Sequence, residues 1–392
     1  MRRANLSLVL TRVHTSGTTT RAALTRSTGL NRSTIGALVG ELSRLGLVSE
    51  SEPETTSQVG RPSLVIRPGD RAVVLAVNPE VDAVTLAVVG LGGAVLKRVR
   101  YDTRRAPDPE EVVTIVSALV AGMGDELRAS RVVVGVGVAV PGLVRERDGL
   151  VDLAPHLGWS EVPLARLLSD ALALPVRVAN DAAAGALGEG RFGVGAGARE
   201  LVYLNGGASG IGGGVIARGA LLGGLDGFAG EIGHTFVGGQ MLPCHCGAIG
   251  CLETEVTRAA LLELLDLPTE RVVELDARLA ARLAGGAGGP DGGASRLRAL
   301  LDRQLDHLAV AVRNCINVFD PELVVLGGFL GSLYSADPKR LERAVARSSI
   351  RSGRENARML RSSLGDDILL IGAAELAFAA VLADPAGYAD RL

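Results

Sequence analysis

The feature that most constrains this chain is a short segment, residues 228–253, which holds three cysteines and a histidine. His234 lies ten residues before Cys244, and Cys246 and Cys251 follow closely. Glycines between the cysteines permit tight turns that bring the sulfur atoms together. One nitrogen and three thiolates complete a tetrahedral zinc site with no open position. The pattern therefore predicts a structural Zn²⁺ that fixes a loop and performs no chemistry.

The other uses of cysteine fit this segment less well. Cysteine often packs as a small buried hydrophobe, as we expect for Cys315, but a Cys-x-Cys run among Pro, His and Gly is no core strand. Disulfides are rare in the cytosol. The chain is expected to be cytoplasmic, since it begins with an amphipathic segment and no apolar run approaches the ~18 residues of a membrane-spanning helix.

Two glutamates flank the predicted metal ligands. Glu231 precedes His234 by three residues, and Glu253 follows Cys251 by two. Carboxylates tethered to a metal-clamped loop are fixed before a ligand arrives, which suits the recognition of sugar hydroxyls. Alternatively, either glutamate could cap a helix or face water.

The segment resembles the ROK family of repressors, open reading frames and sugar kinases. The resemblance rests on Gly-Glu-Ile-Gly-His followed by Cys-x-Cys-Gly-x-x-Gly-Cys-Leu-Glu, and similarity extends from about residue 71 to residue 383. In that family the histidine and the three cysteines bind zinc, while the two glutamates and the same histidine orient the sugar.

Strand and helix patterns alternate from residue 71 onward, with helices predicted at 110–127 and 164–172 and a buried strand at 132–140, which indicates an α/β architecture. A glycine-rich stretch at 285–293 is expected to form a loop. The resemblance implies the two-lobed actin-like, hexokinase-type (RNase H-like) ATPase fold. We expect a separate N-terminal domain at 1–68, a first lobe at 69–183 with a returning C-terminal helix at 372–392, and a second lobe at 184–371 that carries the zinc and sugar loop.

A polar pair stands where a predicted strand ends and a helix begins. In ROK kinases the aspartate at the position of Asp181 is the general base, and its neighbour Asn180 hydrogen-bonds the sugar. Gly142 belongs to another loop similar to the family's sugar-facing loops, whereas His156 replaces a common asparagine. Helix-start N–H groups would keep Asp181 ionised, but a plain N-cap would look the same.

The first hairpin departs from the kinase pattern. ATP-using members carry Asp-x-Gly-x-Thr, and the matching residues here are Asn78, Glu80 and Asp82. A glutamate in place of glycine would fill the phosphate space and repel phosphate by roughly 4 kcal/mol at ~4 Å and an effective dielectric of ~20. A second glycine-rich stretch, residues 205–214, could cradle phosphate or simply form a hairpin. We therefore expect no kinase activity.

The N-terminal residues are strongly basic. Residues 1–48 contain seven arginines and one acid, although the whole chain has a net charge of −2. Three short helical patterns, with a turn at Gly29, predict a helix-turn-helix in which Thr20 caps the second helix and Asn31 or Ser33 starts the third. Its second helix would place four polar residues in the major groove of DNA, namely Asn31, Arg32, Ser33 and Thr34.

Two predicted strands, at 47–49 and 64–66, flank a polar loop that outlines a wing. Arg61 on that loop could enter a minor groove or contact phosphate. A small helical oligomerisation domain with a solvated basic face is the alternative, but charge, turn and wing together favour DNA. Helix-turn-helix proteins usually bind two DNA half-sites as dimers, so a homodimer or a dimer of dimers is expected.

Together these features predict a sugar-responsive transcriptional regulator of the ROK type, acting as a repressor on double-stranded operator DNA. One alternative is an ATP-dependent sugar kinase with a regulatory DNA-binding head. Another is a body that has lost small-molecule binding and acts through a partner protein.

Overall fold

The computed structural model describes residues 1–52, 64–284, 293–348 and 357–388. They form two compact units, one of Met1–Ala184 with Asp367–Leu392 and one of Gly185–Asp366. Most of the predicted wing loop, with Arg61, lies outside the described residues. So does most of the glycine-rich stretch at 285–293, which had been expected to form a loop.

Three helices open the first unit: α1 (Arg2–Ser16), α2 (Arg21–Thr28) and α3 (Arg32–Arg44). The predicted caps are present, because Thr20 Oγ1 accepts from the Ala23 amide at 3.2 Å and Asn31 Oδ1 accepts from the Thr34 amide at 2.8 Å. Such caps satisfy helix N–H groups that have no partner within the helix. A three-stranded sheet follows, in the order β1–β3–β2, from strands β1 (Thr19–Thr20), β2 (Val48–Ser51) and β3 (Val65–Pro68).

The rest of the first unit is built on a five-stranded sheet in the order β11–β7–β4–β5–β6. Strands β4, β5 and β6 form an antiparallel meander, whereas β7 and β11 run parallel to β4. The strands are β4 (Ala72–Pro79), β5 (Ala83–Gly90), β6 (Val95–Asp102), β7 (Val132–Val140) and β11 (Val176–Asn180). A small antiparallel sheet lies beside it, from β8 (Leu143–Arg145), β9 (Leu150–Ala154) and β10 (Trp159–Val162).

One predicted helix of this unit is divided. The expected helix over residues 110–127 becomes α4 (Pro109–Gly122) and α5 (Gly124–Ser130). The break falls at Met123, between two glycines that weaken helix propensity. The helices α6 (Leu164–Leu172) and α14 (Ile368–Ala383) complete the unit, together with the first four residues of α7 (Asp181–Phe192), whose remaining residues belong to the second unit.

The second unit repeats the same topology, because its sheet order is β14–β13–β12–β15–β16 and again joins an antiparallel meander to parallel strands. Its strands are β12 (Leu201–Gly206), β13 (Ile211–Ala217), β14 (Ala220–Leu221), β15 (Leu323–Gly327) and β16 (Arg358–Arg361). Its helices are α8 (Leu252–Glu255), α9 (Arg258–Leu264), α10 (Leu275–Ala284), α11 (Gly293–Phe319), α12 (Gly328–Ala336) and α13 (Pro338–Ser348).

Helix α14 joins the N-terminal helices to the first sheet in one hydrophobic core. Leu10 and Val13 of α1 share that core with Val74 of β4 and with Phe378 and Val381 of α14. The N-terminal domain is thus packed against the body rather than tethered by a bare linker. Among the helices of the described residues, none is long and apolar enough to cross a bilayer.

Candidate functional site

The four predicted metal ligands meet in the second unit, where their ligand atoms all lie within 4.8 Å of one another. His234 Nδ1 lies 3.5 Å from Cys244 Sγ, and the sulfur atoms of Cys246 and Cys251 are 3.7 Å apart. Tetrahedral zinc with Zn–S bonds of ~2.3 Å separates its ligands by ~3.8 Å. The donor set and its spacing therefore fit Zn²⁺.

The loop folds back on itself to bring these ligands together. His234 ends a 3₁₀ turn (Ile232–His234), and Cys251 is the N-cap residue of α8. An isolated antiparallel bridge pairs Phe236 with Cys251, and the Cys244 amide donates to Ala248 O at 2.8 Å. Backbone hydrogen bonds thus hold the loop in the shape that brings the four ligands together.

The thiols have contrasting environments. Burial raises the pKa of Cys244 and of Cys251, whereas a backbone hydrogen bond at Ala248 lowers the pKa of the exposed Cys246. Thiolates are the zinc ligands, and a bound cation deprotonates coordinating thiols. Zn²⁺ would supply the positive charge that the two buried sulfurs need to ionise.

The predicted sugar-binding carboxylates lie on either side of His234. Glu231 Oε2 is 3.9 Å from His234 Nε2, and Glu253 Oε1 is 3.5 Å from His234 Nδ1. Burial raises the pKa of Glu231, with Glu253 adding to the rise. Because Nδ1 faces Cys244 and Nε2 faces Glu231, one ring could serve a metal and a sugar at once.

His245 was not predicted to belong to this group. Its Nδ1 lies 3.1 Å from Glu253 Oε1, and its ring meets the ring of His234 edge to face at 5.0 Å. The only sequence signal was its position inside the Cys-x-Cys run. Glu253 therefore lies within reach of two imidazole rings and of Cys244 Sγ, which is 3.0 Å away.

The glycine-rich stretch at 205–214 forms the β12–β13 hairpin, closed by the Gly207 amide donating to Gly210 O at 2.9 Å. Gly210 has a φ of 138°, and a β-carbon there would collide with the Glu253 carboxylate. The positive φ favours glycine at this position, and the absence of a β-carbon leaves room for the Glu253 carboxylate. The hairpin thus supports the Glu253 side of the loop.

The predicted pair at the start of α7 lies in the first unit. Asn180 Nδ2 donates to Gly142 O at 3.0 Å, and Asn180 Oδ1 accepts from the Ala182 and Ala183 amides at 2.9 and 3.1 Å. Asn180 therefore caps α7 and holds the Gly142 loop beside it. Asp181 Oδ1 also accepts from the Ala182 amide, at 2.7 Å.

The β4–β5 hairpin carries Asn78, Glu80 and Asp82, the residues predicted to stand in place of the kinase motif. Arg100 of β6 donates to Glu80 at 2.6 Å, to Asp82 at 2.9 Å and to Asp102 at 2.8 Å, and Thr85 Oγ1 donates to Glu80 at 2.7 Å. Burial works to lower the pKa of Arg100, but its bonds to these carboxylates raise the pKa above the usual value. An ion-pair cluster therefore holds this hairpin.

The four predicted DNA-contacting residues occupy the N-terminal end of α3. Asn31, Arg32 and Ser33 are exposed, and Thr34 is half-buried. Asn31 Oδ1 is engaged as the cap and also accepts from Ser33 Oγ at 2.8 Å. A bidentate pair joins Glu50 of β2 to Arg21 of α2, so this wing glutamate is neutralised, as DNA binding would require.

Glu189 is the other residue that the sequence analysis missed. Its carboxylate is fully buried in the second unit. It accepts from four donors at 2.7–3.0 Å, namely Val194 N, Ser362 Oγ, Ser363 N and Leu364 N. These bonds tie α7 to the residues that lead into α14. A lone glutamate in a helix of small residues was the only available signal.

Comparison with known proteins identifies the family. The ROK family model matches residues 74–380. The chain belongs to the ROK family. It is 28% identical over 397 residues to a xylose repressor of Caldicellulosiruptor bescii, covering 98% of each chain. It is 33% identical over 254 residues to a glucokinase of Thermotoga maritima, covering 62% of this chain and 78% of that enzyme.

A solved structure of a ROK family transcriptional regulator, a homologue of the E. coli MLC protein, matches with a TM-score of 0.76. It is 24% identical and covers 97% of each chain. Together with the duplicated sheet topology, this likeness supports the expected hexokinase-type fold.

Proposed function

We propose that this ROK protein is a sugar-responsive repressor that binds operator DNA through a winged helix-turn-helix head. The observation that carries the proposal is the end-to-end similarity to the xylose repressor, which spans 98% of both chains. The glucokinase similarity covers only 62% of this chain. A regulator accounts for the additional basic N-terminal residues, whereas a sugar kinase does not need them.

DNA recognition is assigned to the start of α3. Arg32 is exposed beside the capped first turn, and an N-terminal turn of a recognition helix is the part that meets base edges. Arg61 remains a proposed second contact on the wing. The division into a head at 1–68, a first lobe at 69–183 with 372–392 and a second lobe at 184–371 belongs to the same proposal, as does a homodimer or dimer of dimers in the cytoplasm.

Sugar recognition is assigned to two groups of polar residues. In the second unit these are Glu231, His234 and Glu253, beside the proposed zinc ligands. In the first unit they are Asn180, Asp181 and Gly142. His234, Cys244, Cys246 and Cys251 would hold Zn²⁺, which would fix the direction of the acceptors. Preorganised acceptors lose little conformational freedom when they bind a ligand.

Loss of kinase activity is part of the proposal. Arg100 joins Glu80 and Asp82 at the hairpin that would meet phosphate. The acidic side chains there disfavour a polyanion. An active kinase is the second candidate, supported by the glucokinase similarity. Sugar-dependent ATP consumption that is abolished by Asp181→Asn would establish it and remove the claim that catalysis is lost.

The regulatory claim is tested by mobility shift on DNA upstream of the chain's own coding region, at stated salt, with D-xylose, D-glucose and their phosphates. We expect binding that weakens steeply with salt and changes with one sugar. Arg32→Ala should cost about 1 to 3 kcal/mol of operator affinity, whereas the exposed Arg104→Ala is the control. Absence of DNA binding at low salt would refute the proposal.

Calorimetry with the same sugars separates this proposal from a regulator that acts through a partner protein. Heat of binding together with a change in operator affinity supports a sugar effector. No heat with any sugar, alongside normal operator binding, would favour the partner-protein alternative.

A further inference from the structure

A buried hydrogen-bonded pair joins the N-terminal domain to the body. His14, in the last turn of α1, and Glu375, in α14, are both buried. His14 Nε2 lies 2.9 Å from Glu375 Oε1 and 3.2 Å from Oε2. The Gly92 amide donates to His14 Nδ1 at 2.9 Å, which leaves Nε2 to carry the ring proton toward the carboxylate.

Stability alone does not account for this pair. Burying a carboxylate is costly, and a well-packed apolar pair of similar volume often holds two helices equally well. Unlike apolar contacts, hydrogen bonds also fix the relative orientation of the groups that they join. His14 is held from α14 on one side and from the β5–β6 turn at Gly92 on the other, so α1 cannot slide or rotate on the body without breaking a buried bond.

On the body side, α14 leads from this pair to the proposed sugar site. Gly372 packs against the carbonyl of Ala184, and a β-carbon at Gly372 would collide with that carbonyl. Ala184 lies in the first turn of α7, which begins at Asp181. Glu375 follows Gly372 by three residues, the spacing that places two residues on one face of a helix. A shift of α7 would therefore press on the turn of α14 that carries Glu375.

On the DNA side, the N-terminal end of α1 is joined to α3, the proposed recognition helix. Arg2 donates to Glu41 of α3 through Nε at 3.1 Å and Nη2 at 2.6 Å. Leu10 and Val13 of α1 lie in the same core as Leu38 and Val39 of α3. Helices α1 and α3 are thus fixed to each other over the length of α1.

We propose that His14 and Glu375 are positioning residues that transmit movement of α7 through α14 to α1 and to α3, the proposed recognition helix. This inference rests on the proposed function for its biological meaning. The contacts themselves all lie within the first unit. Physical adjacency alone does not demonstrate coupling, so the test is a double-mutant cycle.

The cycle uses hydrogen exchange of α1 and α3 in the full-length chain, which needs no ligand. Gly372→Ala displaces α14 from Ala184, and we expect it to raise exchange in α1 and α3 at least fivefold. In a His14→Leu background the same substitution should raise exchange less than twofold. His14→Gln should restore the response, because an amide can accept from Gly92 and donate to Glu375.

Ala184→Gly removes a methyl group from the core that Ala184 shares with Ala373 and Ala374 of α14, so it loosens the packing of α7 on α14 without adding an atom and replaces Gly372→Ala if that variant does not fold. A purely structural role would raise exchange in the His14→Leu chain but leave the response to the α7–α14 perturbation unchanged. Equal responses in both backgrounds, or no response in either, would overturn the inference.

Operator binding by the same chains separates the two proposals. If the expected exchange pattern is observed but the chain does not bind DNA, the proposed function is refuted and the transmission path is retained. DNA binding with an unchanged exchange response would refute the transmission path and leave the proposed function intact.

Discussion

The most direct test of the second unit is removal of the Glu189 carboxylate. Glu189 is fully buried and accepts three backbone amides and one hydroxyl. Its Oε1 receives the Ser362 hydroxyl and the Ser363 and Leu364 amides, whereas Oε2 receives only the Val194 amide. Glu189→Ala would leave all four donors without this acceptor, and Glu189→Gln would turn an amide N–H toward Val194 N–H.

The expected cost follows from those bonds. Each buried donor left without a partner costs about 1–3 kcal/mol, and the three backbone amides, which unlike the Ser362 hydroxyl cannot rotate to another acceptor, give about 3–5 kcal/mol at the lower end of that range. Glu189→Ala should therefore destabilise by about 3–5 kcal/mol. Glu189→Gln keeps three acceptor contacts and makes one repulsive contact, so it should cost roughly 1–2 kcal/mol.

Urea unfolding and thermal unfolding measure these values. For a unit of this size, about 1 kcal/mol lowers Tm by roughly 2–4 °C, so Glu189→Ala should lower Tm by roughly 10 °C. Glu263→Ala, at an exposed position of α9, is the matched control and should change little. The reasoning is wrong if both Glu189 variants unfold within ~0.5 kcal/mol of wild type, the range of ordinary surface substitutions.

Three further outcomes are expected. Chelation should expose the three thiols between residues 244 and 251 to a thiol reagent at pH 8, while Cys315, whose pKa burial raises to about 12, should react only on unfolding; a thiol count with and without denaturant checks this. Glu253→Gln should weaken sugar binding by about 1–3 kcal/mol in calorimetry and leave sugar-free operator affinity unchanged. Glu80→Gly with Asp82→Thr should raise ATP affinity at least tenfold by equilibrium dialysis, and no gain would show that nucleotide is excluded elsewhere.

Local features were predictable because each depends on residues that are close together in the sequence. The strand at 132–140 and the helix at 164–172 have the predicted bounds, since continuous apolar runs and helical periodicity report directly on burial. The caps at Thr20 and Asn31 were also predictable, because side-chain oxygens at helix starts have few other uses. The convergence of the metal ligands followed from their spacing within one loop.

Features that depend on distant residues were not predictable from the sequence. Glu189 meets residues more than 170 positions away, and Glu375 meets His14 across 361 positions. A sequence does not distinguish a buried carboxylate from an exposed one, because burial depends on which distant residues pack around the side chain. The division of the 110–127 helix depended on two glycines whose small propensity cost could have been outweighed by packing.

The charge on the β4–β5 hairpin is more evenly balanced than the sequence alone indicates. Glu80 was expected to act as a bare negative charge facing phosphate, yet Arg100 and Thr85 bind its carboxylate. Arg100 is shared with Asp82 and Asp102, so the cluster still carries more negative than positive charge. The groups are partly exposed, which screens their repulsion. The proposed exclusion of phosphate therefore rests also on steric filling and on the engagement of Arg100, since a guanidinium already bound by three carboxylates has little capacity left for a nucleotide.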